Sequence, residues 1–244
     1  MDTTFWGPPA WILLHTIAYN YVPSELNKET YQLFFENLQN ILPCIYCRAS
    51  YIEYISHEPI SQYLNSAKDL SLWLYKIHNL VNGKLRSQKL IKWENPSFDD
   101  IYKRYSDANA SIDKCRIRCQ SIMGWNLLYC IAFVFAENGR IDAQTSHYNG
   151  YYMFFNTLAD VLPNNGGYRD IYSAYLHDNP ILEYLESREK LKKWVYNLET
   201  TMNHKLALKC DEFAKIEDEI EQYRAGCDSV KSDFKPTCRR ILKK

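Results

Sequence analysis

Two stretches of this chain carry the same apolar pattern about 120 residues apart. Tyr31, Phe34, Phe35, Leu38, Ile41, Leu42 and Pro43 recur as Tyr151, Phe154, Phe155, Leu158, Val161, Leu162 and Pro163. After a one-residue slip the register continues, with Pro59-Ile60 beside Pro180-Ile181, Tyr63-Leu64 beside Tyr184-Leu185, Ser66 beside Ser187, and Trp73 beside Trp194. Asn82 and Lys84-Leu85 then meet Asn203 and Lys205-Leu206, and upstream Trp11 to Ala18 matches Trp125 to Ala132. Amphipathic helices resemble one another by chance, but chance does not readily keep Phe-Phe, Leu-Pro, Pro-Ile and Trp in register. A chain built this way is expected to fold as two similar units, over residues 1–108 and 109–244.

Each unit reads as helical, because strand-like alternation is scarce and glycine and proline sit at boundaries. Pro8 and Pro9 are expected to open a helix from Ala10 to about Asn20, and Ser24 to cap a second through Ile41. A helix through Tyr51 and Ile55 follows, then a short segment opened by Pro59. Ser66 to Val81 forms the next helix, closed by Asn82-Gly83, and a short one ends near Tyr105. The run from Trp125 to Ala136 is too short to span a bilayer and reads as a buried helix.

Charge excludes some functions. With 29 basic and 29 acidic residues, the chain offers no broad attraction to nucleic acid or to an anionic membrane. Its 20 tyrosines can fill a core, and can also stack on planar cofactors. The start, Met1 to Phe5, lacks the basic head and apolar segment of a secretory signal. Eight cysteines in such a chain point towards metal binding or catalysis rather than structural bridging.

Two of those cysteines stand in Pro43-Cys44-Ile45-Tyr46-Cys47, at the end of an apolar run. This spacing serves a disulfide, half of a zinc site, or thiol chemistry. If Cys44 opens a helix, the unpaired N–H groups and positive dipole end favour its thiolate. Trp11 and His15 lie one helical turn apart, as do His78 and Asn82. Such polar groups beside apolar positions are either core histidines bonded to backbone carbonyls or the lining of a polar, aromatic pocket.

Taken together, Trp6-Gly7-x-x-x-Trp11-x-x-Leu14-His15-x-x-Ala18, Pro43-Cys44-x-x-Cys47 and Trp73-x-x-x-x-His78-Asn79-x-Val81-Asn82-x-Lys84-Leu85 resemble the Erv/ALR family of FAD-linked sulfhydryl oxidases, particularly its viral members. The resemblance covers roughly residues 5 to 106. It implies an all-α fold: an FAD-binding helical bundle with the CxxC against the isoalloxazine. It also implies a reaction in which thiols become a disulfide and electrons pass through CxxC and FAD to oxygen, giving hydrogen peroxide. Carried over, Cys47 is the flavin-proximal cysteine and Cys44 the one that exchanges with an incoming thiol. Gly7, Trp11, His15, His78, Asn79, Val81, Asn82, Lys84, Leu85, Lys103 and Tyr105 join Cys47 around the FAD. Tyr105 stands where many members have Trp, and Leu42 replaces an aromatic before the Pro-Cys. The family's structural Cys-x16-Cys pair is absent from the first unit.

The second unit keeps the core positions and loses the chemistry. Asn164 to Gly167 replaces the CxxC, Tyr129 replaces His15, and Glu199-Thr200 replaces His78-Asn79. It therefore reads as a degenerate second helical bundle without flavin. Its Cys210 and Cys227 have the family spacing, which implies a structural disulfide. Cys115 and Cys119, one helical turn apart, are the candidate shuttle dithiol, with unpaired cysteines or other bridges as alternatives. Cys130 lies in an apolar run and is expected to be buried and inert, and Cys238 has no evident partner.

The expected partners are thiol-containing proteins and O2. The second unit is expected to cover the first as an intrachain pseudo-dimer, with further homodimerisation open. A zinc-stabilised helical module using Cys44, Cys47, Cys115 and Cys119 is the alternative, although CxxxC suits zinc poorly. A thioredoxin-type reductase would need a βαβ pattern around the CxxC, and none is present. For location, the cytosol, a virus factory, a virion and non-classical mitochondrial import all remain open.

Overall fold

The computed structural model describes residues 1–106, 124–135, 141–163 and 167–223, and of residues 141–147 only the backbone. Cys115, Cys119, Cys227 and Cys238 lie outside the described residues. Among the described residues the regular structure is helical throughout. The first helix, α1 (Thr3–Tyr19), begins seven residues before the expected Ala10 and carries Pro8 and Pro9 inside it. Asp2 starts it, its Oδ1 accepting from the Thr4 N–H at 2.8 Å. Interior prolines cost a helix about 3 kcal/mol each. Here the first turn is held instead by burial of Met1, Phe5 and Trp6.

Ser24 caps α2 (Glu25–Ile41), accepting from the Asn27 N–H at 3.1 Å. Cys44 caps α3 (Ile45–His57), and a 3-10 turn (Ile60–Tyr63) follows Pro59. Ser66 caps α4 (Ala67–Ser87), which runs through Asn82-Gly83 rather than ending there. A helical glycine costs only about 1 kcal/mol. Against that, Lys84 and Arg86 suit the carbonyl end of the dipole. The Asn82 amide and Arg86 also both donate to Asn95 Oδ1, at 3.1 and 3.0 Å, tying the last turn to the loop beyond it. α5 (Phe98–Ser106) completes the first half.

The second half contains α6 (Trp125–Phe133), α7 (Ile141–Val161), α8 (Tyr168–Asp178), a 3-10 turn (Ile181–Tyr184), α9 (Arg188–Lys205) and α10 (Phe213–Gln222). Its internal bonds reproduce those of the first. Tyr51 donates to the Phe35 carbonyl at 2.9 Å, and Tyr172 to that of Phe155 at 2.8 Å. Trp73 Nε1 donates to the Glu58 carbonyl at 2.8 Å, and Trp194 Nε1 to that of Asn179 at 2.9 Å. Phe35 meets Trp73 edge-on at 5.2 Å, and Phe155 meets Trp194 edge-on at 5.1 Å.

The halves pack through α1 against α6 and α2 against α7, so matching helices face each other. Phe34 stacks on its counterpart Phe154 at 5.7 Å. Charge relations cross the junction reciprocally: Arg169 acts on Tyr31, and its counterpart Arg48 acts on Tyr151. Asn37 Nδ2 donates to the Gly150 carbonyl at 2.7 Å. A Cβ at Gly150 would stand 2.8 Å from Asn40 Cβ, so this close approach requires glycine. The buried side chains of both halves form one continuous apolar core. No helix among the described residues is long and apolar enough to cross a membrane.

Candidate functional site

The CxxC sits where α2 hands over to α3. Cys44 occupies the N-cap of α3 in extended conformation (φ −134°), and its Sγ accepts from the Cys47 N–H at 3.4 Å. A sulfur held there faces the helix's unpaired donors, which favours negative charge on it. Cys44 is 2% exposed and Cys47 half-buried, so an external thiol reaches Cys44 only if its surroundings open.

Both sulfurs line a cavity of about 600 Å³. That is within the range for organic ligands, roughly 300–1,000 Å³. α1 contributes Gly7, Trp11 and His15, α3 contributes Cys47 and Ser50, α4 contributes His78, Val81, Asn82, Lys84 and Leu85, and α5 contributes Arg104 and Tyr105. Trp11 and His78 stack in parallel, with centroids 3.9 Å apart and planes at 8°. His15 Nε2 and His78 Nδ1 are 3.2 Å apart, so one ring donates to the other. Tyr105 stacks on His15 at 5.2 Å. Lys84 Nζ donates to Ser50 Oγ at 2.6 Å.

Among the described residues no Asp or Glu lines this cavity, whereas Lys84 and Arg104 do. The lining thus suits an anionic ligand with a planar aromatic part. Trp6, also in the lining, holds its indole N–H buried with no acceptor among the described residues. A donor in that position calls for an acceptor from a bound group. A Cβ added at Gly7 would meet nothing within 4 Å. The protein's own packing therefore does not require glycine there, but a group lying close to α1 would.

Of the residues expected at the site, Asn79 and Lys103 do not line the cavity: Asn79 is half-buried on α4 and Lys103 exposed on α5. Arg104, one residue on, takes the place anticipated for Lys103. Sequence reading also missed Ser50, which lies one turn beyond Cys47 on the same face, a spacing that could have flagged it. The second half carries no dithiol at the matching position. Where His15 meets His78, its counterparts Tyr129 and Glu199 meet instead, Tyr129 donating to Glu199 Oε2 at 2.6 Å with both buried. Trp125, the counterpart of Trp11, is fully buried. Cys210 is exposed, and its expected partner Cys227 lies outside the described residues, as do the shuttle candidates Cys115 and Cys119. Among the described residues no group of three or more His, Cys, Asp or Glu could hold a metal ion.

Both site histidines are held neutral. Burial, then His78 and Arg104, push His15 down to about 3, and burial pushes His78 down to about 4. In the unfolded chain both take up protons below about pH 6.5. Their neutral burial therefore costs nothing above that pH, and stability falls as pH drops towards 4. The loss is at most about 1.4 kcal/mol per pH unit per histidine. Chemical unfolding of the parent and of His15→Asn at stepped pH is expected to show the steeper loss in the parent; equal slopes would contradict the assignment.

Fold and site together define a helical bundle whose dithiol opens onto a cofactor-sized cavity. The model of the Erv1 / Alr family matches residues 8–103, which carry the CxxC, Trp11, His15 and the α4 residues of this site. The chain is 32% identical over 101 residues to the FAD-linked sulfhydryl oxidase of African swine fever virus (isolate Pig/Kenya/KEN-50/1950), covering 41% of this chain and 81% of that protein. A probable FAD-linked sulfhydryl oxidase of Acanthamoeba polyphaga mimivirus is 35% identical over 85 residues, 34% of this chain and 59% of that protein. The mitochondrial FAD-linked sulfhydryl oxidase of Saccharomyces cerevisiae is 32% identical over 85 residues, 34% of this chain and 44% of its own length. No solved structure gives a significant match. The chain belongs to the Erv1/Alr family.

Proposed function

We propose that this protein is an FAD-dependent thiol oxidase acting on protein substrates. Two thiols and one O2 become one disulfide and one hydrogen peroxide, which balances atoms and electrons. The observation that carries this reading is the Cys44/Cys47 dithiol at a helix N-terminus, opening onto a cavity lined by stacked Trp11 and His78 with Lys84 and Arg104. FAD bound there supplies the two-electron acceptor between dithiol and oxygen. The chain's own part is to stabilise a thiolate at the start of α3, to present flat aromatic faces, and to offset phosphate charge with Lys84 and Arg104. Neutral His15 and His78 hold a polar contact without adding charge inside the cavity.

The second half is read as a degenerate copy whose cofactor cavity is closed. The matched Tyr51/Tyr172 and Trp73/Trp194 bonds support common descent of the halves. The buried Tyr129–Glu199 pair supports loss of the site. Matched faces across α1/α6 and α2/α7 support a pseudo-dimer within one chain. Cys115 and Cys119 are proposed to relay electrons from substrates to the CxxC, and Cys210 and Cys227 to form a structural disulfide. The proposed location is cytoplasmic, in a virus factory or virion, in keeping with the viral relatives. Purified protein is expected to be yellow and to contain one FAD per chain; a ratio near two would overturn the reading of the second half, and a colourless protein the oxidase reading.

A further inference from the structure

We propose that Tyr223 of the second half is a positioning residue for the cofactor cavity of the first, because it holds the opening turn of α1. That turn is poorly held by its own helix. Pro8 and Pro9 have no N–H, so the carbonyls of Thr4 and Phe5 lack their usual partners four residues on. Yet Thr3, Thr4, Trp6 and Gly7 all line the cavity. A wall that moves cannot hold a ligand tightly.

The hold comes from across the molecule. The Asp2 N–H donates to the Tyr223 carbonyl at 2.9 Å. The Phe5 ring stacks on the Tyr223 ring, with centroids 4.2 Å apart and planes at 13°. Tyr223 is itself anchored, because it ends α10, whose Ile216 and Ile220 are buried in the common core. Asp2 is doubly used: its backbone docks on Tyr223 while its carboxylate caps α1. The second half thus reaches the cavity wall of the first, and its retention has a consequence beyond covering an apolar face. The inference rests on reading the cavity as the flavin site.

The test uses the full-length holoprotein and follows release of FAD fluorescence after dilution. Tyr223→Ala is expected to release FAD roughly three- to tenfold faster than the parent, the range one aromatic pair is worth. Tyr223→Phe, which keeps the ring, is expected to match the parent. Phe5→Ala is expected to act like Tyr223→Ala, and the double variant to be no worse than either single one. With FAD added to saturation, kcat on dithiothreitol is expected to return to the parent value. Tyr223→Leu, which keeps apolar bulk, repeats the test should Tyr223→Ala fold poorly, and is expected to release FAD faster than the parent. Parent-like release from a folded Tyr223→Ala or Tyr223→Leu, fast release from Tyr223→Phe, or additive effects in the double variant would overturn the inference while the oxidase reading stands. A parent protein without flavin would overturn both.

Discussion

Cys44→Ser and Cys47→Ser are each expected to cut oxygen uptake with dithiothreitol by roughly a thousandfold or more, to the uncatalysed background. The effect is large because a dithiol works as a unit. Disulfide formation needs both sulfurs, and a serine oxygen cannot form or release the sulfur–sulfur bond. The local geometry gives the two losses different signatures. Cys44 Sγ accepts from the Cys47 N–H at the mouth of α3, so Cys44→Ser keeps a capping oxygen and is expected to retain flavin. Both sulfurs line the cavity, but Cys47 does so from within α3 rather than from its cap, so its replacement changes the surface presented to the cofactor without supplying a cap. Cys130→Ser is the matched control. That residue is fully buried in α6 and does not line the cavity, and its replacement is expected to lower stability by about 1–3 kcal/mol while leaving turnover near the parent value. An oxygen electrode measures all three, and full activity in either CxxC variant would refute the assignment.

Residues 1–106 produced alone are expected to self-associate or precipitate, the second-largest effect. The junction removes Phe34, Ile41 and Leu13 from water together with the faces of α1 and α2, at about 1.5–3 kcal/mol per large side chain. Without α6 and α7 that apolar face has no cover. Asn37 would also lose the Gly150 carbonyl, a bond that fixes register rather than merely adding area. Within one chain the partner surface is present at an effective concentration in the millimolar range, so the intact protein need not dimerise to cover it. Sedimentation of 1–106 as a stable, soluble monomer would contradict this view of the junction.

Where a residue's local chemistry settled its role, the sequence could be read directly. Ser24 and Ser66 announce helix starts because a hydroxyl before an amphipathic run has a donor to satisfy, and both caps are present. A helix opened by Cys44, which the sequence raised only as a condition, is present as well, with Cys44 at the N-cap of α3. The failures came where tertiary packing outweighs local preference. Pro8 and Pro9 argued for a later start to α1, but burial of Phe5 and Trp6 outweighs the missing N–H groups. Gly83 argued for an early end to α4, but the bonds from Asn82 and Arg86 to Asn95 carry the helix on by another turn.

At the site, position along a helix decided legibility. Trp11 and His15, and His78 and Asn82, share faces by simple periodicity, and all four line the cavity. Lys103 and Arg104 are adjacent, exposed basic residues at the end of a short helix, and which one borders the cavity depends on how α5 docks, which no local pattern encodes. The Tyr129–Glu199 contact was equally hidden. Each position reads by itself as the lack of a ligand, whereas together Tyr129 and Glu199 form a buried hydrogen bond at the place that matches the His15–His78 contact of the first half.

The most direct measurement is anaerobic titration of the purified full-length protein with dithiothreitol, followed by its visible absorbance. A thiol oxidase with FAD beside Cys44 and Cys47 is expected to show a flavin band that falls as thiol is added. On admission of air the band is expected to return, with hydrogen peroxide formed in proportion to the thiol consumed. A protein without that band, or one whose band is indifferent to thiol, would contradict the account.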